Sequence, residues 1–194
     1  MKTLYNNLAV LILVTAALVP VADARPYEDF GMEKVGEGRF SWFGISLYSA
    51  GLWTGKVATA DGLAEPSALL SLRYEKNIRK EYILKITGEE WSRLSVGSSE
   101  QQQGWLQELS GILPDVSKGD SLSSLVTASG STRFYLDSKP IGLIEDPEFG
   151  RAFLAIWLHP ETRGSKLRRK LLGEYQGFDS LFQNQQSSLQ KEES

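Results

Sequence analysis

The densest hydrophobic pattern in the chain lies at residues 146–173, DPEFGRAFLAIWLHPETRGSKLRRKLLG. Phe149, Phe153, Ile156 and Trp157 recur there at three- and four-residue spacing, with Ala152 and Leu154 beside them. That period predicts a helix with one broad buried stripe, against which the rest of the chain is expected to pack. Asp146 followed by Pro147 reads as its start: a carboxylate accepts from the first free N–H groups, and proline suits the first helical position, where a missing N–H is no loss. His159-Pro160 stops this helix, and Thr162 or Ser165 opens a second. In that second helix Lys166, Arg168, Arg169 and Lys170 favour the negative C-terminal end, and Gly173 falls where a left-handed cap belongs.

Upstream the period changes. Over 32–53, Phe40 and Trp42 alternate with Arg39 and Ser41, and Ile45, Leu47 and Leu52 are set among Ser46, Tyr48 and glycines, which predicts two or three antiparallel strands. The turn-rich 59–66 leads to a strand at 68–74, with Ala68, Leu70, Leu72 and Tyr74 on one face and Ser71 and Arg73 on the other. Residues 78–94 fit a helix through Ile78, Tyr82, Ile83, Ile86, Trp91 and Leu94. Gly88 interrupts it, and Thr87-Gly-Glu-Glu90 has the form of a capping box, so the helix is expected either to run through or to restart at Thr87. Ser98 or Ser99 caps a further helix over 100–112, with Trp105, Leu106, Leu109 and Ile112 on one face and Pro114 after its end. Short strands follow at 122–128, 132–137 and 141–144, linked by tight turns. Strands and helices in separate blocks predict an α+β fold: an antiparallel β-sheet covered on one face by a layer of helices.

Residues 1–24 change the picture at the N-terminus. Lys2, the apolar run at 8–19 and Ala22-Asp23-Ala24 read as a secretory signal with a small-x-small cleavage site, so the mature chain is expected to begin at Arg25. The run is shorter than the ~20 apolar residues of a membrane span, and no stable membrane anchor is expected after cleavage. What remains is about 170 residues, the size of one domain with a single core: 25–173 as the folded domain and 174–194 as a polar, Gln- and Ser-rich tail. There is no cysteine, so disulfides and thiol chemistry are excluded. With 21 basic and 24 acidic side chains the net charge is −3, which offers no surface for nucleic acid.

Motifs for chemistry are sparse. The single histidine, His159, stands in a helix-ending His-Pro, without a serine or carboxylate at triad spacing, and reads as structural. Ligands for a metal are too few, and no cofactor is expected. GEGR at 36–39 lacks the Gly-Lys-Ser/Thr ending of a phosphate loop and lies between strands.

Five strings in order, GEGRFSWFGISLYSAGLW, ITGEEWSRL, KGD, GSTRFYLDSKPIGLIEDPEFGRAFLAIWL and LRRKLLG, resemble the chalcone isomerase family, most closely its bacterial exported members. The resemblance covers nearly all of the mature chain. It implies an open-faced β-sandwich, with a cleft between a large antiparallel sheet and the helical layer. The family includes plant enzymes that close a flavanone ring and non-catalytic fatty-acid-binding proteins of plastids. The enzymes' catalytic tyrosine falls on Trp91, their threonine on Phe43 and their asparagine on Ser98, none of which keeps the family's residue. Arg39 is the candidate for their arginine, and Thr162 or Ser165 for the hydroxyl near the last helix.

The resulting expectation is a ligand site made of Arg39, Tyr48, Tyr74 and Trp91, each weighed against an ordinary place in the strand surface or core. Arg39 would be the fixed cation for a carboxylate or enolate, and the aromatics the apolar wall with a few donors. The function expected is a periplasmic, non-catalytic binder of a small amphipathic or fatty-acid-like molecule. The alternatives are an isomerase acting on a chalcone-like or other enone substrate, and a structural or partner-binding domain.

Overall fold

The computed structural model describes residues 31–58 and 64–173. Six strands, β1 (Glu33–Trp42), β2 (Ile45–Ala58), β3 (Ala64–Tyr74), β4 (Ser121–Thr127), β5 (Thr132–Leu136) and β6 (Lys139–Ile144), form one antiparallel sheet in sequence order. Four helices complete the fold: α1 (Lys80–Arg93) and α2 (Ser99–Ile112) between β3 and β4, and α3 (Phe149–Leu158) and α4 (Ser165–Leu172) after β6. The fold class is therefore the expected α+β, with helices on one face of an antiparallel sheet. The predicted signal, residues 59–63 of the turn-rich stretch expected at 59–66, and the tail beyond Gly173 lie outside the described residues; residues 64–66 of that stretch are strand, the start of β3.

Strand alternation sorts the side chains. Ala50, Leu52, Leu70, Leu72, Tyr74, Leu122, Val126 and Phe134 face the helices and join the main core. The opposite face carries a small separate cluster of Trp53, Leu69, Leu125 and Tyr135, and a hydrogen bond between the Ser123 and Ser71 hydroxyls at 2.8 Å. α3 is buried nearly all round: Phe149, Phe153, Leu154, Trp157 and Leu158 are enclosed as the stripe predicts, while Arg151 and, against that expectation, Ile156 are half-buried. Phe149 is ringed by Trp91, Trp105, Phe134 and Phe153 at centroid distances of 5.6–6.0 Å.

Local starts and stops depart from the sequence in instructive ways. α2 opens on Ser98 with a full capping box, Ser98 and Gln101 each serving the other's backbone N–H. α1 does not restart at Thr87. It runs through Gly88, where a Cβ would stand 3.0 Å from the Leu106 side chain, so the glycine serves close packing of α1 on α2. The donor at the start of α1 is satisfied from afar, Lys80 N–H to Asp115 Oδ1 at 2.9 Å. α3 begins at Phe149, after a turn at Pro147-Glu148, yet the Asp146 carboxylate still caps this start: Oδ1 accepts from the Glu148 N–H and Oδ2 from the Trp105 indole, each at 2.8 Å. α4 lies on β1, and Gly36 is what allows it. Any Cβ there would collide with the Lys170 and Leu171 carbonyls. Gly173 closes α4 with a positive φ of 52°.

Candidate functional site

Between the helix-facing side of β1–β3 and the helices α1 and α3 there is a cavity of about 320 Å³, at the lower end of the range of small-molecule sites. Phe40, Leu72, Ile83, Ile86, Phe153 and Ile156 form much of its wall. Its polar groups come from Tyr48, Tyr74, Thr87, Glu90, Trp157, Thr162 and Arg163.

Of the four residues expected from sequence, the structure brings Tyr48 and Tyr74 together. They are directly opposite on β2 and β3, with ring centroids 6.0 Å apart, and both line the cavity. The Trp157 indole N–H donates to the Tyr48 hydroxyl oxygen at 3.0 Å, and no described residue accepts the Tyr48 proton. Tyr74 is 4% exposed, and its hydroxyl has no hydrogen-bond partner among the described residues. Burial pushes the Tyr48 hydroxyl well above the ordinary phenol value against the opposing hydrogen bond from Trp157, and the nearby Glu90 carboxylate adds to the rise. Burial does the same to Tyr74, helped by Tyr48. At neutral pH both phenols are therefore protonated donors, and neither is a base.

The other two expected residues stand elsewhere. Arg39 is not on the cavity wall. Its neighbour Phe40 takes the inward position, so Arg39 turns outward, 64% exposed, where Nε pairs with Glu75 Oε1 at 2.9 Å. The Glu75 carboxylate also accepts from the Ser49 hydroxyl at 3.1 Å. Trp91 is fully buried behind the wall, its indole donating to the Ala152 carbonyl at 2.8 Å and its ring edge-on to Trp105 and Phe149. The arrangement makes Trp91 a core residue and excludes it from the cavity lining.

The positions matched to the enzymes' other residues scatter likewise. Phe43 is at a hairpin tip, 90% exposed, and Ser98 is spent on capping α2. Thr162 lines the cavity, but its hydroxyl donates to the Ile156 carbonyl at 2.6 Å and closes the end of α3. Ser165 is the first residue of α4. His159 is buried after α3, its Nδ1 accepting from the Glu161 N–H at 3.1 Å. Burial holds its pKa below the ordinary value, with Arg93 and Arg168 acting in the same direction against Glu161, so it is a neutral structural residue.

Sequence reasoning missed the charged corner of the site. Glu90, 5% exposed, lines the cavity and is held by two guanidinium groups: Arg93 Nη2 and Nε reach Oε2 at 2.6 and 3.2 Å, and Arg163 Nη1 reaches Oε1 at 2.5 Å. A buried carboxylate requires such neutralisation. Arg163, 46% exposed, is the guanidinium that actually borders the cavity. The spacing of Glu90 and Arg93 is a legible i,i+3 pair. Arg163 lies in the connection between α3 and α4, where no period singles it out. Among the described residues no group of histidines and carboxylates is placed to hold a metal ion.

Comparison with known proteins agrees with this architecture. An Arabidopsis thaliana fatty-acid binding protein has a similar structure, with a TM-score of 0.57 over 74% of this chain and 87% of that one, at 13% identity, a likeness of fold. An uncharacterised protein of Haemophilus influenzae (strain ATCC 51907 / DSM 11121 / KW20 / Rd) is 28% identical over 160 residues, 81% of this chain and 75% of the relative. The model of the chalcone isomerase-like family matches residues 18–173, and the chain therefore belongs to that family.

Proposed function

We propose that the cavity binds one small amphipathic molecule of the fatty-acid type, without converting it. The observation that carries this reading is the Tyr74 hydroxyl, a donor on a side chain 96% removed from solvent, lining a cavity and left without a partner among the described residues. The residue lines the cavity, so its unpaired donor is available to a ligand oxygen. Tyr48 offers a second proton in register beside it, and Arg163 supplies positive charge on the same wall. Two neutral donors next to a cation suit a carboxylate head, while Phe40, Leu72, Ile83 and Phe153 suit an alkyl tail, whose transfer from water is favourable by about 0.8 kcal/mol per methylene.

Ring closure of a chalcone would require a phenolate held against a polarised carbonyl by positioned hydroxyls. Trp91 and Phe43 stand where the family's enzymes carry hydroxyls, and neither reaches the cavity. Binding is therefore preferred to isomerisation. Native mass spectrometry of the protein purified without added lipid is expected to show a bound species in the mass range of an acyl chain. A pure unliganded mass, together with turnover of a chalcone above its spontaneous rate, would reverse the preference.

The reading also places the protein outside the cytoplasm, in the exported bacterial branch of the family, on the strength of the leader pattern at residues 1–24. In a Gram-negative host that means the periplasm. N-terminal sequencing of the mature protein is expected to start at Arg25, and retention of Met1 would contradict export by cleavage.

A further inference from the structure

The hairpin joining β1 to β2 ends in Trp42-Phe43-Gly44-Ile45, and its tip is the most exposed apolar feature among the described residues. Phe43 is 90% exposed, Ile45 55% and Trp42 49%. The two turn residues both have positive φ, 46° at Phe43 and 79° at Gly44. Such a two-residue turn favours asparagine or glycine at its first position, and a bulky aromatic there is strained. Folding thus gains nothing evident from Phe43: it packs on no core and suits its backbone poorly. Among the described residues its one aromatic contact, edge-on to Trp42 at 5.3 Å, stays within the tip.

The tip adjoins the cavity. Trp42 lines the cavity as well as facing solvent, stacked behind it is Phe40, and Tyr82, 55% exposed, lines it from α1. Apolar surface is therefore continuous from the tip, past Trp42, into the site.

We propose that this tip docks on a lipid bilayer surface, with Phe43 and Ile45 entering the headgroup–acyl boundary and Trp42 and Tyr82 at the level of the headgroups. Tryptophan and tyrosine, apolar with one polar atom, favour that zone. Two alternatives fit less well. A stable dimer buries about 800 Å² per partner, far more than three side chains on a two-residue turn present. The segments of this chain outside the described residues attach at Gly31, Ala58, Ala64 and Gly173, all at the other end of β1 and β2; Gly173 lies against Val35. At the usual rise per strand residue the tip is roughly 25 Å from Gly173 and about 40 Å or more from Gly31 and Ala58, so none of these segments starts beside it. The inference goes beyond the cavity reading, since docking on an empty vesicle needs no ligand.

The test is co-sedimentation with vesicles of equimolar phosphatidylcholine and phosphatidylglycerol, with tryptophan emission followed in parallel. The full mature chain is expected to sediment with a shift of emission to shorter wavelength. Phe43→Ser/Ile45→Ser is expected to stay in the supernatant with an unchanged melting temperature and unchanged fatty-acid titration. Failure of the wild type to sediment, or equal sedimentation of the folded double variant, overturns the proposal. So does a dimer in analytical ultracentrifugation that the double variant abolishes, which would assign the tip to a second copy.

Discussion

Replacing Phe149 by alanine is expected to lower the unfolding free energy by about 3–5 kcal/mol, the usual range for deleting a fully buried aromatic. That is a large part of the 5–15 kcal/mol typical of a domain. The ring is 0% exposed and contacts side chains from α1, α2, β5 and α3 itself, through Trp91, Trp105, Phe134 and Phe153. A void there cannot be filled by one element moving, because four elements hold its walls and each is anchored elsewhere. Trp91 is fixed by its bond to the Ala152 carbonyl and Trp105 by its bond to Asp146. Thermal or denaturant unfolding followed by circular dichroism measures the loss, and an unchanged midpoint would show that this cluster is not the centre of the core.

Tyr74→Phe is expected to separate binding from stability. The hydroxyl has no partner among the described residues, so removing it deletes no protein hydrogen bond, and the melting temperature should hold. A hydrogen bond to a charged acceptor contributes about 1.5–3 kcal/mol, so affinity for a fatty-acid carboxylate should fall roughly 10- to 100-fold. Tyr48→Phe is a less clean probe. Its oxygen accepts the Trp157 N–H, and the variant would leave that nearly buried donor unpaired, lowering stability along with binding.

The elements and the site were legible to different degrees, for physical reasons. Period-two alternation put Leu70, Leu72 and Tyr74 on one face, and the 3.6 period put Phe149 and Phe153 on another, because burial against a layer is what creates both patterns. Tyr74 followed from the same alternation, whereas Tyr48, grouped with Ser46 against Ile45 and Leu47, entered through the family resemblance. Arg39 did not: the alternation that sends Phe40 inward sends Arg39 out, and the family resemblance outweighed that parity in the reading of the sequence. The ambiguity at Thr87-Gly88 has a different cause, since a glycine that admits Leu106 from α2 looks like a helix break until the partner helix is in place. Arg163 could not be found by any local rule. Its role depends on Glu90, a residue on another helix, and connections between helices carry no period.

The central claim is that a fatty-acid-like ligand occupies the cavity with its head at Tyr74 rather than at the outward-facing Arg39. Titration calorimetry of the mature protein with a series of saturated fatty acids tests it most directly, run on the wild type, Tyr74→Phe and Arg39→Ala. One-to-one binding by the wild type, a 10- to 100-fold loss in Tyr74→Phe and wild-type affinity in Arg39→Ala are predicted. No binding of any chain length, or loss in Arg39→Ala with Tyr74→Phe unaffected, would contradict the account.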